Sequence, residues 1–201
     1  SAAVLMGMNP FKTRDELLLE YVNRKSDFTP GHKTWCGLQF EAAIGRALGV
    51  SLGCSFSPKN ELRWEDGSCI GAPPDGYLSV SDLLILPDPV CPSGHKRNWA
   101  NFAEEAQDYL EQRNLWVEIK NVGQDKLTRA PWNRPGSPPE YYWAQCQTQL
   151  LVLDEPKMAL AALVGGQDLR GHIIERDETF LDELRIVAKE FMEEVKEGRE
   201  L

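Results

Sequence analysis

An acid and an amine lie two residues apart in the apolar run Trp116-Val117-Glu118-Ile119-Lys120. A short run rich in Val, Ile and Trp is typical of a β-strand. Because side chains alternate along a strand, Glu118 and Lys120 share one face with Trp116, and the two apolar residues between them face the other way. The charged face is either a solvated edge with an ion pair or part of a site, since buried charges need partners.

A second carboxylate lies upstream, in the sequence P-P-D-G at 73–76. These residue types are also what an ordinary turn requires, so the turn alone does not identify a site. The alternating stretch that follows predicts a strand over 76–80. If this strand lies next to the first one, Asp75 comes close to Glu118 near the centre of the sheet.

Two neighbouring carboxylates suit a hard divalent cation. Mg²⁺ prefers oxygen ligands in an octahedron and usually takes one or two carboxylates together with waters and substrate phosphate. We expect Asp75, Glu118 and the main-chain carbonyl of Ile119 to bind Mg²⁺, for which Mn²⁺ can substitute. Lys120 would then orient or deprotonate the attacking water, or neutralise charge that grows on a phosphate. The pattern thus predicts metal-dependent hydrolysis of a phosphodiester.

The N-terminal elements follow from capping residues and helical periodicity. Thr13 and Glu16 form a capping box that begins a helix over 14–24. A second helix is predicted over 34–48 and is expected to end at Gly49. Its expected buried stripe consists of Trp35, Leu38, Ala42 and Leu48.

The rest of the chain is predicted to form further strands and helices. Three glutamines, at 145, 147 and 149, lie on one predicted helix and cannot all be core residues, so at least one is expected to be exposed or to line a polar cavity. The predicted strands are 52–57, 61–65, 157–164 and 169–175, and the predicted helices are 140–152 and 178–196, the latter between Asp177 and Gly198.

Length, charge and cysteine content narrow the class of protein. The 201 residues predict a single domain over 1–201. A net charge of −9 argues against a uniformly basic nucleic-acid coat, but it permits a carboxylate site beside a local basic surface. Five cysteines without a C-x-x-C spacing indicate reduced thiols. Since no membrane span or signal peptide is evident, we expect a cytoplasmic protein without a membrane partner.

The motifs in their order resemble the PD-(D/E)XK nuclease superfamily, and within it the lambda-exonuclease-like or YqaJ-like viral recombinases. The resemblance rests on PPDG, VEIK, the helical YYWAQCQTQLLVL and the opening SAAVLMGMNPFKTRDELLLEY, and it runs from Ser1 to about Leu153. It implies an α/β (α+β sandwich) fold with a restriction-endonuclease-like core, in which helices flank a central mixed sheet.

The resemblance also assigns roles to three further residues. It implies that Ser1 contacts the terminal 5′-phosphate of DNA. The sequence G-L-Q-F-E at 37–41 is similar to the family's G-x-x-x-E motif, which implies that Glu41 approaches the metal. A-Q-C-Q is similar to A-Q-x-Q, which implies that Gln145 helps to place the water or the phosphate. Taken alone, Glu41 would be a solvated helical carboxylate and Gln145 a helix-surface amide.

Residues 81–114 depart from the family pattern, in which a tight hairpin commonly joins the two motif strands. The insertion begins as a proline-rich loop and continues as an amphipathic helix at about 98–113. We expect it to be a surface excursion that packs on a neighbouring subunit or guides DNA.

The loop after the E-x-K strand is rich in cations. Lys126, Arg129 and Arg134 surround Trp132 in a Pro- and Gly-rich segment. Such a mixture suits phosphate contacts and stacking on a base, although ordinary loop chemistry explains the same residue types. Its position directly after the predicted metal strand favours binding to DNA.

The sequence therefore predicts a Mg²⁺-dependent nuclease of duplex DNA, with catalytic residues Glu41, Asp75, Glu118, Lys120 and Gln145. The resemblance implies 5′ to 3′ exonuclease activity in phage-type recombination in a bacterial host, a single-strand annealing protein as partner and a ring-shaped homotrimer.

Three alternatives stay open on the sequence. The first is a structure-specific or restriction-type endonuclease of the same superfamily. The second is a CRISPR-associated exonuclease with an iron–sulfur cluster, which the scattered cysteines disfavour. The third is a non-catalytic DNA-binding protein, which the complete set of two acids and a lysine disfavours.

Overall fold

The computed structural model describes residues 1–24, 32–80, 96–123, 132 and 137–200. Three helices come first in this part of the chain and four short strands follow; the remaining three helices and three strands come after them. The helices are α1 (Ala2–Leu5), α2 (Arg14–Asn23), α3 (His32–Leu52), α4 (Lys96–Leu110), α5 (Glu140–Leu153) and α6 (Glu178–Glu200). The strands are β1 (Ser55–Pro58), β2 (Arg63–Trp64), β3 (Gly71–Ala72), β4 (Gly76–Ser79), β5 (Leu115–Val122), β6 (Lys157–Val164) and β7 (Asp168–Glu175).

A mixed sheet of five strands, in the order β1-β4-β5-β6-β7, lies at the centre. The middle strand, β5, pairs antiparallel with β4 and parallel with β6. A parallel pair requires a crossover connection, and the segment between β5 and β6 contains α5. The predicted mixed sheet flanked by helices is therefore confirmed.

The side chains of β5 alternate between two hydrophobic cores. Leu115, Val117 and Ile119 join a core that includes residues of α3 and α4. Trp116 and Val122 join a second core, with residues of α5. The face that carries Glu118 and Lys120 is therefore the face toward α5. This outcome matches the strand periodicity of the sequence.

The inserted helix α4 is a structural part of the main core. Trp99, Phe102, Ala106 and Leu110 are buried, and α4 contacts α3, β5 and β7. The expectation of a surface excursion is therefore wrong for this helix, because its apolar stripe covers one face of the sheet. The predicted loop at 81–95 lies outside the described residues.

Two glycines that were expected to end helices lie inside them. A Cβ atom at Gly49 would be 2.8 Å from the carbonyl oxygen of Cys54, and one at Gly198 would be 2.8 Å from Val22 Cγ2. Each glycine thus makes room for a neighbouring segment of the chain. Helix α3 continues to Leu52, so the predicted strand over 52–57 begins only at β1.

The predicted stripe of α3 and one predicted strand also need correction. Trp35 and Leu38 are more than half exposed, whereas Ile44, Leu48 and Leu52, spaced by four residues, are buried. The strand predicted over 61–65 is the two-residue β2, which pairs with β3 in a separate sheet rather than in the main one.

The two predicted helix starts are confirmed. Thr13 N–H donates to Glu16 Oε2 at 2.8 Å, and Glu16 N–H donates to Thr13 Oγ1 at 3.3 Å, as in a capping box. At the start of α6, Phe180 N–H donates to Asp177 Oδ1 at 3.0 Å. None of the helices in the described ranges is long and apolar enough to cross a membrane.

We predict that Gly76→Ala destabilises the protein by roughly 1–3 kcal/mol through overpacking. A Cβ at this position would lie 2.5 Å from both the Ser57 carbonyl oxygen and the Phe56 ring. The matched control is Gly37→Ala in α3, where a Cβ meets nothing within 4 Å. Because alanine favours a helix, the control is expected to gain up to about 1 kcal/mol. Urea unfolding measures both, and equal effects of the two substitutions would contradict the prediction.

Candidate active site

Asp75 and Glu118 are brought together by the pairing of β4 with β5. Gly76 pairs with Val117 in an antiparallel register, so the residue before Gly76 lies beside the residue after Val117. Asp75 Oδ2 accepts a hydrogen bond from the main-chain N–H of Ile119 at 2.7 Å. The predicted meeting of the P-D-G turn and the E-x-K strand is present in the structure despite the insertion between them.

The carboxylate of Glu118 is only 1% exposed and accepts hydrogen bonds at both oxygens. Oε1 accepts from Lys120 Nζ and from Gln145 Nε2, the latter at 2.5 Å. Oε2 accepts from Gln149 Nε2, also at 2.5 Å. Two amides one turn apart on α5 and one ammonium from β5 therefore fix this carboxylate. A buried charge is tolerated only with such partners.

Lys120 is a protonated amine held between an acid and an aromatic ring. Its side chain is 20% exposed and forms an ion pair with Glu118. Its Nζ also lies 5.2 Å from the centre of the Tyr142 ring, within the range of a cation–π contact. Burial lowers the pKa of Lys120, but the charges of Glu118 and Asp75 raise that pKa by more, so it lies above its usual range.

The environment of Asp75, in contrast, disfavours the charged form of its carboxyl group. Burial raises its pKa, and the charge of Glu118 raises it further. Lys120 and the Ile119 N–H act in the other direction, and the net result is a pKa of about 8 instead of 3.8. The site thus places two buried carboxyl groups beside Lys120, and further positive charge would favour the ionised form of Asp75.

Glu41 lies on α3, close enough to Asp75 for its charge to raise the pKa of Asp75. Burial raises the pKa of Glu41, Lys120 lowers it, and Glu118 raises it. Of the His, Cys, Asp and Glu residues in the described ranges, no group of three is arranged to hold a metal ion. Glu41 is therefore close to Asp75 and Glu118 without forming a three-ligand group with them.

The donors fit a divalent cation that prefers oxygen. Asp75 and Glu118 offer adjacent carboxylates whose mutual repulsion an added positive charge would relieve. The Ile119 carbonyl stays a predicted third oxygen, and Mg²⁺ commonly completes its octahedron with water and substrate phosphate. The burial of two neighbouring carboxyl groups, one of which has a raised pKa, is the structural observation that favours a cation.

A cavity of about 440 Å³ lies beside these residues. Gln145, Gln149 and Tyr142 line one part of it, and Ser1 and Pro73 line another. The expectation that at least one of the three glutamines lines a cavity is confirmed. Ser1, the predicted contact for a 5′-phosphate, thus faces the same cavity as the amides that hold Glu118.

The predicted role of Trp132 in base stacking is wrong. Its indole ring is 3% exposed and packs in the second core, with ring centres 5.8 Å from Tyr142 and 5.9 Å from His172. A buried ring cannot stack on a base of bound DNA. Lys126, Arg129 and Arg134, the other residues predicted for this loop, lie outside the described residues.

Two residues of the site were missed in the sequence analysis. Gln149 contacts Glu118, and Tyr142 lies against Lys120. The available signal was the spacing of four between Gln145 and Gln149, which places them one above the other on a helix. Their joint contact with Glu118 required knowledge of how α5 packs on β5.

The raised pKa of Asp75 predicts how stability depends on pH in metal-free protein. The folded state holds a proton on Asp75 up to about pH 8, whereas the unfolded state releases it near 3.8. This contribution to the free energy of unfolding is therefore present below pH 3.8 and is lost progressively as the pH rises through about 8.

Urea unfolding in EDTA at a series of pH values tests this, with Asp75→Asn as the comparison. The difference in unfolding free energy, wild type minus variant, should fall between about pH 4 and 8 by on the order of a few kcal/mol and then level off. A difference that is constant or rises with pH would contradict the assigned environment of Asp75.

Comparisons with known structures agree with this fold. The alkaline exonuclease LHK-Exo from Laribacter hongkongensis superposes with a TM-score of 0.63 at 15% identity, over 99% of this chain and 88% of that one. LHK-Exo in complex with dAMP gives a TM-score of 0.65 at 16% identity, over 99% of this chain and 87% of that one. At such identities the likeness establishes the fold.

A search of curated proteins returns no match. The family model described as the YqaJ-like viral recombinase domain matches residues 1–156, a range that contains α1 to α5 and every residue of the site described above. The chain belongs to the YqaJ-like viral recombinase family.

Proposed function

We propose that this protein is a divalent-metal-dependent deoxyribonuclease that degrades duplex DNA from a 5′ end. The observation that carries the proposal is the buried pair of Asp75 and Glu118 with Lys120 bonded to it. A protein that only bound DNA would gain nothing from two buried carboxyl groups beside an anionic ligand. A metal-dependent hydrolase needs those groups as oxygen ligands for its cation.

Asp75, Glu118 and the Ile119 carbonyl would hold Mg²⁺ or Mn²⁺. Such an ion supplies Lewis acidity and a water of lowered pKa for attack on phosphorus. Glu41 is suited to a second ion, since it lies on α3 within electrostatic range of Glu118.

The chain's own side chains orient the reactants. Because the pKa of Lys120 is raised, its ammonium form is suited to neutralising charge on the phosphate rather than to removing a proton from water. Gln145 donates to Glu118 and also lines the cavity, so its amide can orient the carboxylate and contact the reacting phosphate. These roles together account for the spacing of E-x-K and for the amide on α5.

The position of Ser1 supports attack from a 5′ end. Ser1 lines the same cavity as Gln145 and Gln149. A terminal phosphate bound by the Ser1 hydroxyl would keep the first phosphodiester near Asp75. The family, viral recombinases, supports a role in phage recombination. A single-strand annealing protein that receives the remaining 3′ strand and a homotrimer as the working assembly are further parts of the proposal.

We predict that Lys120→Ala lowers the rate of Mg²⁺-dependent DNA hydrolysis by roughly 10²- to 10⁴-fold, as expected for the loss of a group that acts in the transition state. The matched control is Lys157→Ala on the neighbouring strand β6, where the lysine is 41% exposed and pairs with the exposed Glu175. The control should keep its full rate. Release of acid-soluble nucleotides from linear duplex measures the rates, and circular dichroism checks folding. A folded Lys120→Ala protein with the wild-type rate would refute the assignment.

We predict that linear duplex DNA is degraded while covalently closed circular duplex stays intact. A label on the 5′-terminal nucleotide should be released before a label on the 3′-terminal nucleotide, and a 5′-phosphorylated end should be preferred to a 5′-hydroxyl end. Gel analysis of both substrates with Mg²⁺ or Mn²⁺ checks this. Cutting of the circle would instead identify an endonuclease of the superfamily, and binding of DNA without hydrolysis in either metal would identify a binding protein.

A further inference from the structure

The amide nitrogen of Gln149 bonds to two separate segments of the site. Gln149 Nε2 donates to Glu118 Oε2 at 2.5 Å and to the main-chain carbonyl oxygen of Pro73 at 2.8 Å. Glu118 lies on β5, whereas Pro73 lies two residues before Asp75 in the P-D-G turn. One side chain of α5 thus ties the turn to the strand.

The P-D-G turn is attached to β5 at two points, one direct and one through Gln149. Asp75 is held by the Ile119 N–H, and Pro73 is held through Gln149. Gln145 differs, because among the residues that the structure describes its side-chain amide donates to Glu118 alone. Gln149 therefore constrains how far the carboxylate of Asp75 lies from that of Glu118, which Gln145 does not.

The orientation of the Gln149 amide is fixed by its neighbours. If the amide were reversed, its oxygen would face two other oxygens, Glu118 Oε2 and the Pro73 carbonyl. In the observed orientation, Gln149 Oε1 is buried and has no hydrogen-bond partner within the described part of the chain. A side chain of similar shape without polar atoms would avoid this unpaired oxygen, but it would leave Glu118 Oε2 and the Pro73 carbonyl without this donor. The position therefore requires a donor that reaches both acceptors.

We infer that Gln149 is a positioning residue, which sets the spacing of Asp75 and Glu118 and thereby the affinity of the site for its divalent cation. This inference rests on the proposed metal-dependent activity. Hydrogen bonds to ligating carboxylates commonly affect metal affinity or activity by about 10- to 100-fold when removed. Gln149 adds a second effect, because its loss also releases the turn that carries Asp75.

Gln147 provides a closely matched control on the same helix. Gln147 and Gln149 are both fully buried, and the Gln147 side chain also makes two hydrogen bonds. Its Nε2 donates to the Glu175 carbonyl oxygen at 2.7 Å, and its Oε1 accepts from the Asp177 N–H at 2.8 Å. These contacts fix the segment between β7 and α6 and do not touch the site. Gln147 thus matches Gln149 in its burial and in its number of hydrogen bonds, but its bonds lie away from Asp75 and Glu118.

The test compares Gln149→Met with Gln147→Met in the full chain. Mn²⁺ affinity is measured by electron paramagnetic resonance on protein without DNA, and the Mg²⁺ concentration for half-maximal hydrolysis of linear duplex is measured separately. Thermal unfolding gives the folded fraction for each. If Gln149→Met does not fold, Gln149→Asn retains the amide but is too short to reach both acceptors, and it takes its place.

We expect Gln149→Met to bind Mn²⁺ about 10- to 100-fold more weakly and to need correspondingly more Mg²⁺. Gln147→Met should lose thermal stability and keep both metal values within about twofold of wild type, as a purely structural contact would. If Gln149→Met keeps wild-type affinity for Mn²⁺, or if Gln147→Met weakens it as much, the positioning role is overturned while the proposed nuclease function stands. If wild-type protein neither binds Mn²⁺ nor cleaves DNA, the proposed function fails and this inference fails with it.

Discussion

The buried carboxylate of Glu118 is the constraint on which the arrangement of the site depends. An ionised carboxylate away from water is tolerated only when its oxygens are bonded, and removing one partner of a buried charge is far more costly than removing an exposed one. Here the partners come from β5 itself and from α5. The packing of α5 against β5 and the burial of the Glu118 carboxylate therefore depend on each other.

The strand that carries this charge is held in place from its other face. Val117 and Ile119 point into the core formed with α3 and α4, so the helix of the insertion supports the strand that bears the site. An insertion between two motif residues could have separated them. It does not, because α4 covers the sheet while β4 and β5 keep their direct pairing. The insertion thus adds to the scaffold and leaves the register of the two motif strands unchanged.

What the sequence could predict was local or periodic. The alternation along β5, the capping box at Thr13 and the pairing of Asp75 with Glu118 all follow from residue spacing together with the family pattern. Gly49 and Gly198 were wrongly predicted to end helices. The residue type alone does not distinguish a glycine that ends a helix from one that makes room for a neighbouring segment. Trp132 was misassigned for a similar reason, since an indole ring suits a core as well as an exposed stacking surface. Gln149 required knowledge of the distance between α5 and the P-D-G turn, which no local pattern contains.

The electrostatics of the site restrict what Lys120 can do. A general base must be able to lose its proton near the working pH, yet the charges of Glu118 and Asp75 stabilise the ammonium form of Lys120. A divalent cation held by Asp75 and Glu118 would weaken that stabilisation, because it would bind the same carboxylates. Lys120 would still supply a permanent positive charge beside these residues, where the proposed hydrolysis of a phosphodiester needs one.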